Sequence, residues 1–88
     1  MKVKMYSVYD SKTEAYLQPF FMQSKGAALR AWVDTIADNK TQFSKHPADF
    51  TLFEIGEWNE LTCEFNIYKN MLSLGTALEM ARAATNPI

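Results

Sequence analysis

The cleanest alternation in the chain runs over residues 62–69, with Cys63, Phe65 and Ile67 on one side and Glu64, Asn66 and Tyr68 on the other. A period of two is the mark of a strand with two unlike faces. Residues 50–58 read as a second strand, with Phe53 and Ile55 on one face and Phe50, Leu52 and Trp58 on the other, and Gly56 marks a bulge. Asn59-Glu60-Leu61-Thr62 supplies a hairpin turn between them. Near the N-terminus, residues 3–9 alternate loosely and are rich in strand formers, and Asp10-Ser11-Lys12-Thr13 follows with turn chemistry. Residues 15–23 look extended again, but Pro19 lies inside them. Proline has no amide hydrogen, so this run is expected to be an edge strand, bulged or broken there. The two segments either form a hairpin or leave the second as an extended loop that packs Phe20 and Phe21.

The period changes after Ser24, a good N-cap for a helix over about residues 25–38. Leu29, Trp32, Val33 and Ile36 fall at i, i+3, i+4 and i+7, a single apolar stripe. Asp38-Asn39 is the expected stop, with Asn suited to the left-handed conformation. Residues 40–49 are polar, end in His-Pro-Ala-Asp and read as a loop or short turn. Ser73 is placed to cap a C-terminal helix over about 74–84, with Leu74, Leu78 and Ala81 on one face and Pro87 beyond its end. A helix this short needs a surface to dock on, in this domain or in a partner, or it frays. These elements predict an α+β fold, a small antiparallel sheet in ββαββ order packed on one main helix, with a short C-terminal helix. The expected organisation is one domain over residues 1–70 and a tail over 71–88.

Composition agrees with a folded domain. Hydrophobic residues make up 48% of the 88-residue chain and aromatics 14%, which excludes a disordered segment. No run approaches the ~18 apolar residues of a membrane span, and the N-terminus lacks a signal-peptide core, so a cytosolic protein without membrane contact is expected. Cys63 is the single cysteine and is expected to be a small buried hydrophobe. The net charge of −1 is divided unevenly. Residues 1–45 carry seven basic and four acidic groups, and residues 46–88 carry two and six. That asymmetry fits a basic face at the N-terminal half or an ordinary mixed surface.

Catalytic chemistry is not apparent. His46 is the only histidine and reads as a turn stabiliser beside Pro47, and its pairing with a core Cys63 would not make a nucleophile. Too few Cys and His residues exist for a zinc set. Glu54, Glu57, Glu60 and Glu64 read as a solvated face rather than as an acid–base pair. Three glycines do not make a phosphate-cradling loop. The expectation is a protein that is not an enzyme and uses no cofactor and no metal. The aromatics Tyr6, Tyr9, Tyr16, Phe20 and Phe21 lie among Lys2, Lys4, Lys12 and Lys25, with Arg30 close in sequence. Rings on a sheet flanked by cations can stack single-stranded bases while the cations meet phosphates. The same rings can make a self-association surface.

Three stretches carry a resemblance. They are Tyr9-Asp10-Ser11-Lys12 followed by Ala15-Tyr16-Leu17-Gln18-Pro19-Phe20-Phe21; Lys25-Gly26-Ala27-Ala28-Leu29-Arg30; and His46-Pro47-Ala48-Asp49-Phe50-Thr51-Leu52-Phe53-Glu54-Ile55-Gly56-Glu57-Trp58. Together they cover residues 9–58, and the chain in this region resembles the small non-structural protein of gokushoviruses, single-stranded DNA microviruses that infect bacteria. The resemblance implies a phage accessory protein made in the cytoplasm of the infected bacterium and absent from the virion. It also implies a link to single-stranded DNA during genome replication or packaging. Pro19, Gly26 and Trp58 match as fold determinants, at a strand break, a first helical turn and a strand end. Two readings of function follow. One is a homo-oligomer that binds single-stranded DNA through Lys2, Lys4, Lys12, Lys25 and Arg30. The other is an interaction module for a host or phage protein, without DNA.

Overall fold

The computed structural model describes residues 2–85, and the expected role of Pro87 lies outside them. The sheet is antiparallel and curled. Its spine is β1 (Lys2–Asp10), flanked on one side by β4 (Phe50–Asn59) and on the other by the short β2 (Ala15–Tyr16) and β3 (Phe20–Met22). β5 (Glu64–Thr76) pairs with β4 and forms the far edge. The α+β order ββαββ is thus realised, with the second strand split into two pieces around Leu17-Gln18-Pro19. Pro19 cannot donate to a ladder, which is why the run breaks there.

Helix α1 (Lys25–Ala37) starts where its cap places it: Ser24 Oγ accepts the Ala27 amide at 3.2 Å. Ala28, Trp32 and Ile36, spaced by four, are buried against Tyr6, Val8, Phe50 and Leu52 of the sheet. Leu29 packs at the margin of this cluster. The buried stripe therefore runs through Ala28 rather than Val33, because a small residue lets the helix approach the sheet closely. Asp38, extended at φ −78 and ψ 105, ends the helix, and Asn39 does not adopt the left-handed conformation. The stretch read as a loop holds a one-turn helix α2 (Gln42–Lys45), capped by Thr41, and a 3-10 turn Pro47–Asp49. Phe43 of α2 meets both Trp32 and Phe50 edge-on, with ring centroids 5.2 and 4.9 Å apart.

Three expectations about the β4–β5 hairpin are corrected. The strand faces of residues 50–58 do not follow a constant alternation. Tyr6 pairs with Glu54 and Met5 with Gly56, so Ile55 is an extra residue, and beyond it Trp58 changes to the face of Phe53. Cys63 is exposed in the turn with φ +63 rather than buried in the core. The turn begins one residue later than its composition suggests, because Asn59 holds it. Its carbonyl accepts the Cys63 amide at 2.7 Å, and its Oδ1 accepts the Leu61 amide at 2.9 Å. Finally, β5 runs to Thr76, so the C-terminal helix α3 begins at Ala77 instead of about residue 74. Its cap is a reciprocal pair, with the Thr76 amide donating to Glu79 Oε1 (2.9 Å) and the Glu79 amide to Thr76 Oγ1 (3.0 Å). α3 docks on α1 and on the 3-10 turn, and Ala77 is fully buried.

Candidate functional site

Opposed residues in an antiparallel pair share a face. Starting from Tyr6 and Val8 on the helix side, the register places Val3, Met5, Ser7 and Tyr9 on the other side of β1. Tyr16, Phe21, Phe53, Trp58, Phe65 and Ile67 join them there from the neighbouring strands. No helix packs on this open face. Yet Val3, Met5 and Ser7 are 7%, 5% and 2% exposed, which needs a cover.

The cover is made of rings. Phe21 of β3 and Trp58 of β4 stand on opposite sides of β1, about two strand spacings or ~10 Å apart at the backbone. Their ring centroids are only 5.6 Å apart, so the two side chains lean together over the spine. Tyr16 of β2 and Phe53 of β4 do the same further along, at 5.9 Å, with Tyr9 4.9 Å from Tyr16. Phe65 extends the first pair outward, 6.3 Å from Trp58. The outer surfaces stay in water: Tyr16 is 48% exposed, Phe21 46% and Phe65 59%. The open face is thus two aromatic clusters that roof β1 from beneath and present ring surface to solvent.

The candidates drawn from the sequence divide between the two faces. Tyr9, Tyr16 and Phe21 belong to the open face. Tyr6, fully buried, and Phe20, stacked on it at 5.9 Å, belong to the helix-side core and offer solvent no platform. Phe53, Trp58 and Phe65 are members that the sequence reading missed. Their signal was the Gly56 bulge, which reverses the alternation just before Trp58.

The five cations are not gathered in one patch. Lys2 and Lys12 lie at opposite ends of β1, roughly 30 Å apart at ~3.3 Å per residue. Lys12 sits in the turn beside Tyr9 and Tyr16, and its amide donates to Asp10 Oδ1 at 2.9 Å. Lys25 opens α1, three residues beyond Met22, the register partner of Lys4. Arg30 lies on the exposed side of α1. Lys2 and Lys4 are already engaged with acids. Lys2 is 3.8 Å from Glu57 Oε1, and Lys4 is 3.4 Å from Glu57 Oε2 and 3.6 Å from Glu54 Oε2.

Glu54 is the centre of that polar cluster and is itself buried. Tyr68 donates to its Oε2 at 2.8 Å, and Tyr6 donates to its Oε1 over a longer 3.4 Å. Lys4 Nζ donates to the Tyr68 hydroxyl at 3.5 Å. Burial, reinforced by the charge and hydrogen bond of Glu54, pushes the Tyr6 phenol up to about 12. Burial and the same carboxylate raise Tyr68. For Lys4, burial acts to lower the pKa, but the Tyr68 hydrogen bond and the charges of Glu54 and Glu57 outweigh it and the net shift is upward. The cluster stays charged lysine, charged glutamate and neutral phenols at neutral pH. It pins Tyr68, the first of four β5 residues (68–71) that face the single residue Ile55, to the neighbouring strand. Among the described residues no group of His, Cys, Asp and Glu is placed to hold a metal, and no helix is long and apolar enough to cross a membrane.

Among curated proteins and among solved structures, none matches the chain. A family model does, that of the phage ORF5 protein, over residues 3–80, which takes in the whole sheet, α1 and the start of α3. With nearly all of its fold inside that match, the chain belongs to the phage ORF5 protein family.

Proposed function

We propose that this phage accessory protein is not an enzyme and that it binds single-stranded DNA on the open face of its sheet, in the manner of a gokushovirus non-structural protein. The observation that carries the reading is the exposed ring surface of Tyr16, Phe21 and Phe65 on a face that no helix covers. Bases stack on such rings at about 1–3 kcal/mol each, with little regard to sequence. Lys12 at the Tyr9–Tyr16 end and Lys25 at the Phe21–Trp58 end supply phosphate contacts, and Lys69, two residues along β5 from Ile67, adds a third. Lys2 and Lys4 contribute less than their position in the sequence suggests, since Glu54 and Glu57 already balance them. The protein acts in the cytoplasm of the infected bacterium during replication or packaging and is left out of the virion.

Binding of a fluorescent single-stranded oligonucleotide at low and high salt tests this. Affinity is expected to fall steeply with salt, and each of Lys12→Ala and Lys25→Ala should reduce the log–log slope by about 0.7. Tyr16→Ala, at an exposed ring, should weaken binding roughly 5- to 150-fold while leaving the circular dichroism unchanged. Absence of binding at low salt, or binding indifferent to salt, would sink the proposal. The engagement of Lys2 and Lys4 by acids favours one second reading, in which the aromatic face captures a host or phage protein instead. Under that reading Tyr16→Ala abolishes recovery of the protein partner from infected cells, and the oligonucleotide never binds.

A further inference from the structure

The two edges of the sheet differ. The edge formed by β2 and β3 is two short strands of two and three residues, interrupted at Pro19, with the Leu17 amide tied to the Val8 carbonyl at 2.8 Å. Ser7 Oγ donates to the Leu17 carbonyl at 2.6 Å and closes the gap further. Short strands and a proline are the usual protection against edge-to-edge pairing. The opposite edge has none of it. β5 is 13 residues long, contains no proline, and pairs on one side only. Four of its large apolar side chains stand in water: Phe65 (59%), Ile67 (50%), Met71 (38%) and Leu72 (50%). A strand of this kind presents a row of unpaired backbone donors and acceptors beside apolar surface, a ready template for another strand.

We propose that β5 is the contact between two copies of this chain, paired antiparallel about a two-fold axis normal to the sheet. The occupant is a second copy for three reasons. An isologous strand pair is complementary to itself in its backbone and needs no matched partner sequence. The charges of β5 are one acid, Glu64, and one base, Lys69, so two copies meet without a block of like charge. The exposed area also suits it. At ~200 Å² for a large side chain the four residues leave roughly 400 Å² per copy to cover. With the strand backbone and Leu61 beside it, the total reaches the lower end of the ~1,200–2,000 Å² of specific interfaces. Since the other edge is blunted, association closes at two. An axis normal to the sheet keeps the open faces of both copies on one side. The dimer therefore carries one continuous aromatic face of double length, although the pairing itself stands whether or not DNA binds there.

Sedimentation equilibrium without nucleic acid, over protein concentrations from about 1 to 500 μM, is the test. The wild-type chain is expected to approach two chain masses and no more. Ile67→Lys combined with Leu72→Lys should return it to one chain mass with an unchanged circular dichroism spectrum. If that variant fails to fold, amide exchange of the wild type decides. Residues 64–76 should gain protection as concentration rises, while the amides of β2 and β3 should not. One chain mass at every concentration overturns the proposal. So do masses beyond two chains, a folded variant that stays dimeric, or concentration-dependent protection away from β5.

Discussion

At Gly56 the backbone of β5 comes so close that a Cβ would overlap the Asn66 carbonyl oxygen and crowd the Ile67 backbone. Those atoms belong to a strand and cannot swing away as a flexible side chain does. Gly56→Ala is therefore expected to destabilise the protein by about 1–3 kcal/mol, read as a lower denaturation midpoint. Cys63 poses the opposite case. It holds φ +63 in an exposed turn, a conformation that costs a side-chain-bearing residue roughly 1 kcal/mol and glycine almost nothing. Cys63→Gly should raise stability by about that amount in the same denaturation experiment, whereas a buried cysteine would have lost packing. The phenol of Tyr6 sets a pH limit. Its folded pKa of about 12 stands above the ordinary value of about 10. The stabilisation is complete below pH 10 and drains away as the pH climbs toward 12, because the unfolded chain releases the proton first. Lys4 and Tyr68 are shifted the same way. Denaturation midpoints from pH 8 to 12 should fall across that window, and Tyr6→Phe should make the fall shallower.

Element by element, α3 depends on its first turn. Thr76→Ala removes one half of the reciprocal cap and should cost about 1 kcal/mol, seen as partial loss of helical ellipticity before global melting. The hydrogen bonds from the Thr76 amide and hydroxyl group lower the Glu79 pKa, so the cap holds above the usual carboxylate range and loosens as the pH falls through it. This cap was present in the sequence as Thr-Ala-Leu-Glu, but the strand pattern was taken to end before it, and Ser73 was assigned the role. The elements legible from sequence were those with one strong local rule: the Ser24 cap and four-residue spacing of α1, the Pro19 break, and the strands on either side of Asn59. What stayed hidden depends on contacts across strands. A constant period of two cannot show that Ile55 is surplus on β4, because the reason is the close approach of another strand at Gly56. That one residue turned Trp58 onto the open face and with it moved half of the candidate interface. Likewise the pairing of Lys2 and Lys4 with Glu57 and Glu54 joins residues more than fifty positions apart, so a count of N-terminal cations could not anticipate their loss.

For the molecule as a whole, the C-terminal segment is part of the fold. β5 continues pairing with β4 through Leu72, Ser73, Gly75 and Thr76, and Ala77 is buried beside Trp32 and Ile36. Truncation after Asn70 strips that strand end and the docked helix from the core. It should abolish the cooperative thermal transition and leave no folded protein in which to compare binding. Chain ends that carry core contacts make poor detachable modules.

Trp32 is 4% exposed under α1, while Trp58 stands among the rings on the opposite side of the sheet, each indole N–H without an acceptor among the described residues. The chain thus contains two built-in optical probes on the two sides of a single sheet. With Trp32→Phe in place, the remaining emission reports the solvent-facing side alone, and stacking of a base on that surface registers as quenching. With Trp58→Phe instead, the signal stays constant through ligand binding and changes when α1 leaves the sheet. Occupancy and unfolding can then be followed separately in the same cuvette, without any attached dye.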